Sequence, residues 1–359
     1  MKLVYAVDKE SFNNKDHFGV KKKVESHINY FCKEGIEATL CEYVWEGGYP
    51  QIEVESDTDI LYFRRIEPSL KLILKLRQLK KISPNLRIIM EIPTYPFVKQ
   101  PGQNTLKKRI NRLFGLQFLR FCVDRIVIIG QPVDKLYHIP TICVGNGVDF
   151  DKVTLKNTKN AQNIPEGIHM ICVSGCMRGH GYDRLIEGMH QYYQKAGAEK
   201  KEKVFLHVVG EGRCLPEYKE LAEKYGLISD KIFFYGRKTG RELDEVYDKC
   251  DIGIINLGTY RTKTTYSSSL KSKEYAAKGI PMVNDVMLDV YNDSTKKYIK
   301  MVKSTEEPTD IEEIVSFYHE VYDGKSKAEI AKEIRDAFYM LCDWKFVLHP
   351  VINYIKGQN

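Results

Sequence analysis

The chain has 359 residues, 43% hydrophobic and 29% charged, with a net charge of +7; domains of about 100–200 residues make two of them the expectation. No stretch approaches the ~20 continuous apolar residues of a bilayer-crossing helix, and the opening MKLVYAVDKE reads as a first strand rather than a leader. The nine cysteines are odd in number and form no C-x-x-C pair, which fits buried free thiols in a reducing cytoplasm and leaves no zinc-ligand spacing.

In chain order, 2–7 predicts a strand, 20–33 a helix, 38–44 and 59–63 strands, and 69–82 a basic helix. A strand at 86–92 ends at Pro93, an amphipathic basic helix follows at 105–121, and 124–129 is a further strand. Strands alternating with helices indicate parallel βαβ units. Asn146-Gly-Val-Asp149 is a turn signal, and the polar, unpatterned residues after it place a domain boundary near 146–166.

The alternation then restarts. Strands are expected at 168–174, 204–210, 231–236, 251–257 and 280–285, and helices at 182–195, 216–224, 241–250 and 270–278. Helices at 310–322, 327–341 and 343–355 close the chain. The expected fold is α/β: two doubly wound, Rossmann-like domains facing across a cleft. The first spans 1–150 and takes back a C-terminal helix at 341–359, with Trp344, Phe346 and Tyr354 packing it down; the second spans 151–340.

Charge is uneven. Between Arg64 and Arg125 stand 15 Lys and Arg against three acids, a local balance of +12 that leaves −5 for the remainder. An anionic partner is implied. The helix at 105–121 reads either as an amphipathic helix with a solvated face or, because Leu113, Phe114 and Phe118 interleave with its charges, as a surface for anionic membrane. No nucleic-acid-binding motif accompanies it.

Glycine turns follow the strands of the second half at Gly175, Gly210-Glu211-Gly212, Gly236 and Gly258. Such turns suit phosphates, though α/β folds need them for their own sake. There is no Walker A sequence and no G-x-G-x-x-G, which argues against a P-loop NTPase and a dinucleotide dehydrogenase. Ser267, Ser268 and Ser269 precede a helix opened by Leu270 and Lys271, so hydroxyls and backbone N–H groups gather at an N-terminus that favours an anion. Glu274 stands a turn further on, where a ribose could present two hydroxyls. In the first half, His17 lies in a polar loop and reads first as a solvated histidine and second as an acceptor or phosphate contact, and Glu91 near a strand's carboxyl end is a candidate for touching an acceptor. His207, inside an apolar strand, reads as a hydrogen-bonded core residue.

The second half resembles the group 1, or family 4, retaining glycosyltransferases of GT-B fold. The resemblance rests on Val173-Ser-Gly175, His180-Gly-Tyr-Asp-Arg-Leu-Ile-Glu187, His207-Val-Val-Gly-Glu-Gly212, Lys231-Ile-Phe-Phe-Tyr-Gly236, 243–253 and 270–283. The first half is similar more weakly, through Gly19-Val20 and Asn146–Asp149; Glu91-Ile-Pro-Thr-Tyr-Pro96 looks like members that build capsule or O-antigen polysaccharide.

The resemblance implies a hexosyltransferase with a nucleoside diphosphate sugar as donor, a glycan or lipid-linked acceptor and no separate cofactor; the sequence shows no metal-binding carboxylate cluster, so turnover is expected without a metal. Beside the resemblance, the free cysteines point to the cytoplasm and the basic block at 64–125 to a peripheral place on the inner face of the cell membrane. The resemblance assigns Arg178 and Lys271 to the diphosphate, with His180 at a position the family fills with lysine. Glu274 goes to the ribose, and Gly236, Arg237 and Lys238 go beside the base. Gly175, Gly210, Glu211 and Tyr266 through Leu270 line the donor and Gly19 the acceptor, to which His17 and Glu91 are added by their place after strands and not by the resemblance, since the family often has a histidine near Glu91. Of the family's two glutamates eight positions apart, Glu274 matches the second and Tyr266 stands at the first. A GT-B epimerase without a glycan acceptor, and an inactive homologue that only binds nucleotide sugar, are the alternatives.

Overall fold

The computed structural model describes residues 1–13, 18–64, 69–96, 116–161, 164–195 and 202–358. It divides into two compact units, Met1–Gly147 with Asp343–Asn359, and Val148–Cys342. Both are doubly wound, Rossmann-like α/β domains.

The first unit holds strands β1 (Lys2–Asp8), β2 (Glu37–Tyr43), β3 (Trp45–Glu46), β4 (Tyr49–Pro50), β5 (Ile60–Arg64), β6 (Arg87–Tyr95), β7 (Arg125–Gly130), β8 (Lys135–Leu136) and β9 (Ile139–Val144). Its main sheet runs β2-β1-β5-β6-β7-β9-β8, parallel except for the β8–β9 edge. Side chains alternate across this sheet. Tyr5, Val7, Tyr62, Ile89, Val127 and Ile129 pack with Val24 and Phe31 of the Phe18–Lys33 helix. Ala6, Leu61, Phe63, Ile88, Met90 and Ile126 face the Leu70–Ile82 helix through Leu72 and Leu76. With both faces covered, the strands need unbroken apolar runs, and that is what 126–129 supplies.

Residues 343–359 complete the first of these two cores. The single helix predicted there is two, Trp344–Val347 and His349–Lys356, meeting at Leu348. Pro350 explains the break, because it has no N–H to carry a helix onward but suits the first turn of a new one. Trp344 is buried in the cluster, Arg87 donates to the carbonyls of Tyr354 and Ile355 at 3.1 and 2.5 Å, and the Tyr30 hydroxyl donates to Asp343 at 2.9 Å.

The second unit holds β10 (Ile168–Val173), β11 (Val204–Val209), β12 (Ile232–Phe234), β13 (Ile252–Ile254), β14 (Tyr266–Ser267), β15 (Met282–Asn284), β16 (Met287–Leu288) and β17 (Ile299–Met301). Its main sheet is parallel in the order β12-β11-β10-β13-β15-β17. The strand order therefore reverses direction between β10 and β13, and in the first unit between β1 and β5. Ligands of doubly wound sheets bind beyond the carboxyl ends of the strands at such a reversal. Arg335 ties the polar segment after residue 147 to this unit, donating to the carbonyls of Phe150 at 2.5 Å, Val153 at 2.8 Å and Ala277.

Candidate functional site

In the second unit the chain at the reversal passes through four turns beyond the carboxyl ends of the strands, tied together by backbone contacts. After β10 the chain turns through Ser174 and Gly175 into a short 3-10 turn, Arg178–His180. After β11 it passes through Gly210, whose φ is +128° and where an added Cβ would lie 1.8 Å from the Ser174 carbonyl oxygen. Only glycine permits that approach, and the Gly210 N–H donates to the Gly236 carbonyl at 2.7 Å. Gly181, at φ +65°, closes the other side. A Cβ there would lie 2.5 Å from both the Leu257 carbonyl carbon and the Gly258 nitrogen, while the Leu257 N–H donates to His180 at 2.8 Å.

Into this frame the Leu270–Lys278 helix points its first turn. The Ser269 hydroxyl caps it by accepting from the Lys271 N–H at 3.2 Å. The Lys271 ammonium donates to the Ile255 carbonyl at 2.5 Å and to Asn256 Oδ1 at 3.0 Å, and among the described residues no carboxylate lies within ion-pair distance of it. Burial lowers its pKa to about 7. Held by two neutral acceptors, Lys271 when protonated has a third N–H to give, and an anion there would favour that protonated form.

The other expected donor residues divide in their placement. Arg178 is exposed at the mouth of the 3-10 turn. His180 is held neutral, its pKa lowered to about 2 by burial first and then by the Lys271 charge. Its Nδ1 accepts the Met177 N–H at 3.0 Å, which leaves the ring proton on Nε2. Gly175 is open, and Glu211 lies beside Gly236, with Oε1 3.9 Å from where a Cβ would stand. Arg237 is exposed, and Lys238 pairs with Glu242 at 3.0 Å. Tyr266 and Ser267 form β14, paired parallel to Met287 and Leu288. Leu270 and Glu274 are half-buried on the helix.

Several residues that hold this site were not foreseen. Asp289 accepts from Ser268 at 2.6 Å and from the buried Lys273 at 2.5 Å, fixing the serine segment. Arg261 takes both oxygens of Asp183, at 2.9 and 2.6 Å, and donates to the Arg178 carbonyl at 3.2 Å. His207, the expected core histidine, sits in a relay. His169 reaches the Pro165 carbonyl at 2.9 Å and His207 at 2.9 Å, and His207 reaches the Tyr235 hydroxyl at 2.8 Å. A carbonyl can only accept, so with both rings neutral each proton position is set in turn, and Tyr235 must donate to His207. Tyr235 immediately precedes Gly236, so the relay anchors the loop after β12.

In the first unit Glu91 is fully buried. Lys23 donates to its Oε1 at 3.1 Å, and Tyr62 and Tyr5 to its Oε2 at 2.7 and 3.3 Å. Arg64 Nε lies 3.6 Å and His27 Nδ1 3.7 Å from the carboxylate. Gly19 is in the first turn of the Phe18–Lys33 helix. His17 and most of the basic helix expected at 105–121 lie outside the described residues. Among the described residues no three His, Cys, Asp or Glu side chains gather as a metal set.

Residues 156–259 match the model of the group 1 glycosyl transferases, a span lying wholly in the second unit. No curated protein sequence matches the chain. Among solved structures, a glycosyltransferase from Rickettsia africae ESF-5 is similar with a TM-score of 0.67 at 14% identity, over 100% of this chain and 99% of that one. Anabaena HepE in complex with UDP and glucose gives 0.61 at 10% identity over 99% and 97%. The lipopolysaccharide outer core galactosyltransferase WaaB, in its apo form, gives 0.59 at 11% over the whole of both chains. At such identities the likeness is one of fold.

Proposed function

We propose that the chain is a glycosyltransferase that moves a hexosyl group from a nucleoside diphosphate sugar to a glycan or lipid-linked acceptor, with retention of configuration and without a metal. Lys271 carries this reading: an ammonium with no carboxylate partner among the described residues, set at a capped helix N-terminus where the strand order reverses. The family match over 156–259 takes in Gly175, Arg178, His180, Gly210, Glu211 and Gly236 and supports it. So does the fold shared with a structure that contains UDP and glucose.

In the proposed reaction the bond from the sugar's C1 to the diphosphate oxygen breaks. The acceptor hydroxyl oxygen bonds to C1 on the same face, and its proton passes to the departing diphosphate. Lys271, Arg178 and the helix N-terminus stabilise the charge that develops there. Glu274 accepts from the ribose hydroxyls; Gly236, Arg237 and Lys238 border the base; Tyr266 and Ser267 through Leu270 line the sugar. His17, Gly19 and Glu91 belong to the acceptor side.

We place the reaction in surface-polysaccharide synthesis, in the cytoplasm and on an anionic membrane face. The Leu70–Ile82 helix exposes Leu70, Leu74 and Ile82 beside Lys71 and Lys81, which supports docking. Among the described residues no helix is long and apolar enough to cross a membrane. A thermal-shift screen of the full chain against UDP, GDP and their sugars tests the donor side. One nucleoside diphosphate should raise the melting temperature; no shift with any would overturn the reading. Incubating the chosen donor with acceptors and reading the anomeric configuration of the product by NMR tests retention.

A further inference from the structure

The reversal in the first unit's sheet, between β1 and β5, carries a cluster with more positive than negative charge. Tyr5 on β1 is the register partner of Tyr62 on β5, and Arg64, the last residue of β5, is the partner of Glu91 on β6. Lys23 comes in from the Phe18–Lys33 helix. One carboxylate thus faces an ammonium and a guanidinium, which leaves a surplus of one positive charge. The two tyrosine hydroxyls spend their only protons on Glu91 Oε2.

Hydrogen-bond donors are also in surplus. Lys23 has three N–H groups and, among the described residues, one acceptor, Glu91 Oε1 at 3.1 Å, although its side chain is only 4% exposed. Arg64 has five, and its Nη1 is buried with no hydrogen-bond partner. A buried charged donor without an acceptor is costly, and in a native protein such a group calls for a missing partner. His27 does not supply one. Burial holds it neutral, with a pKa lowered to about 3; its Nδ1 faces the Tyr5 hydroxyl at 3.3 Å, and its Nε2, itself without a hydrogen-bond partner among the described residues, lies on a ring enclosed by Trp344, Phe31 and Tyr62. Lys23, by contrast, is lowered only to about 8, by burial against the pull of Glu91, and keeps its charge at neutral pH.

We propose that Arg64 and Lys23, held in place by Glu91, form an oxyanion subsite at the carboxyl end of β5 that takes a phosphate or carboxylate group of the acceptor. This deepens the reading of the first unit as the acceptor side and rests on it. Glu91 then acts as a positioning residue: its carboxylate orients two cations whose remaining N–H groups meet the ligand. A planar guanidinium suits two oxygens of one oxyanion.

Calorimetry on the full chain tests this, with the donor site first saturated by UDP so that the diphosphate site is closed to the probe. Phenyl phosphate is titrated in one arm and sodium glucuronate in the other. Saturable binding in either arm, weakened about 10-fold or more in Arg64→Gln, supports the proposal, and the arm that responds identifies the oxyanion. Unchanged UDP affinity in the same variant shows that the second unit is intact. Arg64→Lys keeps a point charge without the fork and should bind between the parent and Arg64→Gln; it also serves should the glutamine variant fail to fold. No binding in either arm, or equal binding by the parent and both variants, overturns the proposal. Failure of UDP itself to bind would instead count against the donor assignment of the second unit.

Discussion

The Lys271 ammonium lies 2.5 Å from the carbonyl oxygen of Ile255, the residue that follows β13. The helix that opens at Leu270 is thereby fastened across the point where the strand order reverses. Lys271→Ala should weaken nucleoside diphosphate binding about 10- to 100-fold by calorimetry. Because its pKa is lowered to about 7, affinity for UDP should fall as pH rises from 6 to 9, while Lys271→Arg should flatten the profile. The free protein has the opposite slope from this group. The folded lysine binds fewer protons than the unfolded one between about 7 and the ordinary 10.5, so its contribution to stability rises with pH across that window.

Glu274→Ala should weaken nucleotide binding about 10- to 100-fold, since a carboxylate accepting from both ribose hydroxyls is hard to replace. Glu274→Gln should be milder. Titrations with UDP and GDP on folded variants check this. Parental affinity in Glu274→Ala alongside lost affinity in Lys271→Ala would mean that the helix N-terminus, not the carboxylate, holds the donor.

Gly181→Ala should destabilise the second unit by about 3 kcal/mol or more, since it combines a left-handed backbone with a collision at 2.5 Å against Leu257 and Gly258. Chemical denaturation should show a lower midpoint, and the surviving folded fraction should bind nucleotide less tightly because the turns after β10 and β13 are forced apart.

Glu91→Gln should cost about 3–5 kcal/mol, the usual consequence of leaving buried cations without their counterion. Two groups of this cluster oppose acid. The cations hold the Glu91 carboxyl well below its ordinary 4.5 against the opposing effect of burial, so its stabilising contribution is present above that value and is lost as pH falls further. His27 is kept neutral down to about 3 while its unfolded form protonates near 6.5, so stability is also lost between those values. Melting temperatures measured from pH 7 to 4 should decline, and less steeply in His27→Phe.

Liposome co-sedimentation should show binding to anionic vesicles that fades at high salt, each basic residue near the surface contributing ~1 kcal/mol. Leu74→Glu on the exposed face of the Leu70–Ile82 helix should reduce it. Equal sedimentation with neutral and anionic vesicles would exclude electrostatic docking.

The α/β class was legible because buried parallel strands need apolar runs that nothing else in the chain imitates, as 126–129 and 204–209 show. The Ser269 cap of the Leu270–Lys278 helix was legible because capping is local in sequence. The His169–His207–Tyr235 relay was not, since its members meet only through the parallel pairing of β10, β11 and β12. Glu91 could be read as a polar residue near a strand end. Its burial depends on Tyr5, Lys23, Tyr62 and Arg64 converging from three separate elements, which no spacing reveals. Asp289 was likewise hidden, 21 residues from the serine it holds.

Trp344, Val351 and Ile355 belong to the same apolar cluster as Tyr5 and Tyr62. During synthesis they leave the ribosome only after all of 148–342 has emerged. The second unit is one uninterrupted stretch and can complete its core first, while the first unit waits with the face around His27 and Tyr62 uncovered. The domain made first is therefore the one finished last, and through that interval it offers exposed apolar surface to chaperones or to other nascent chains.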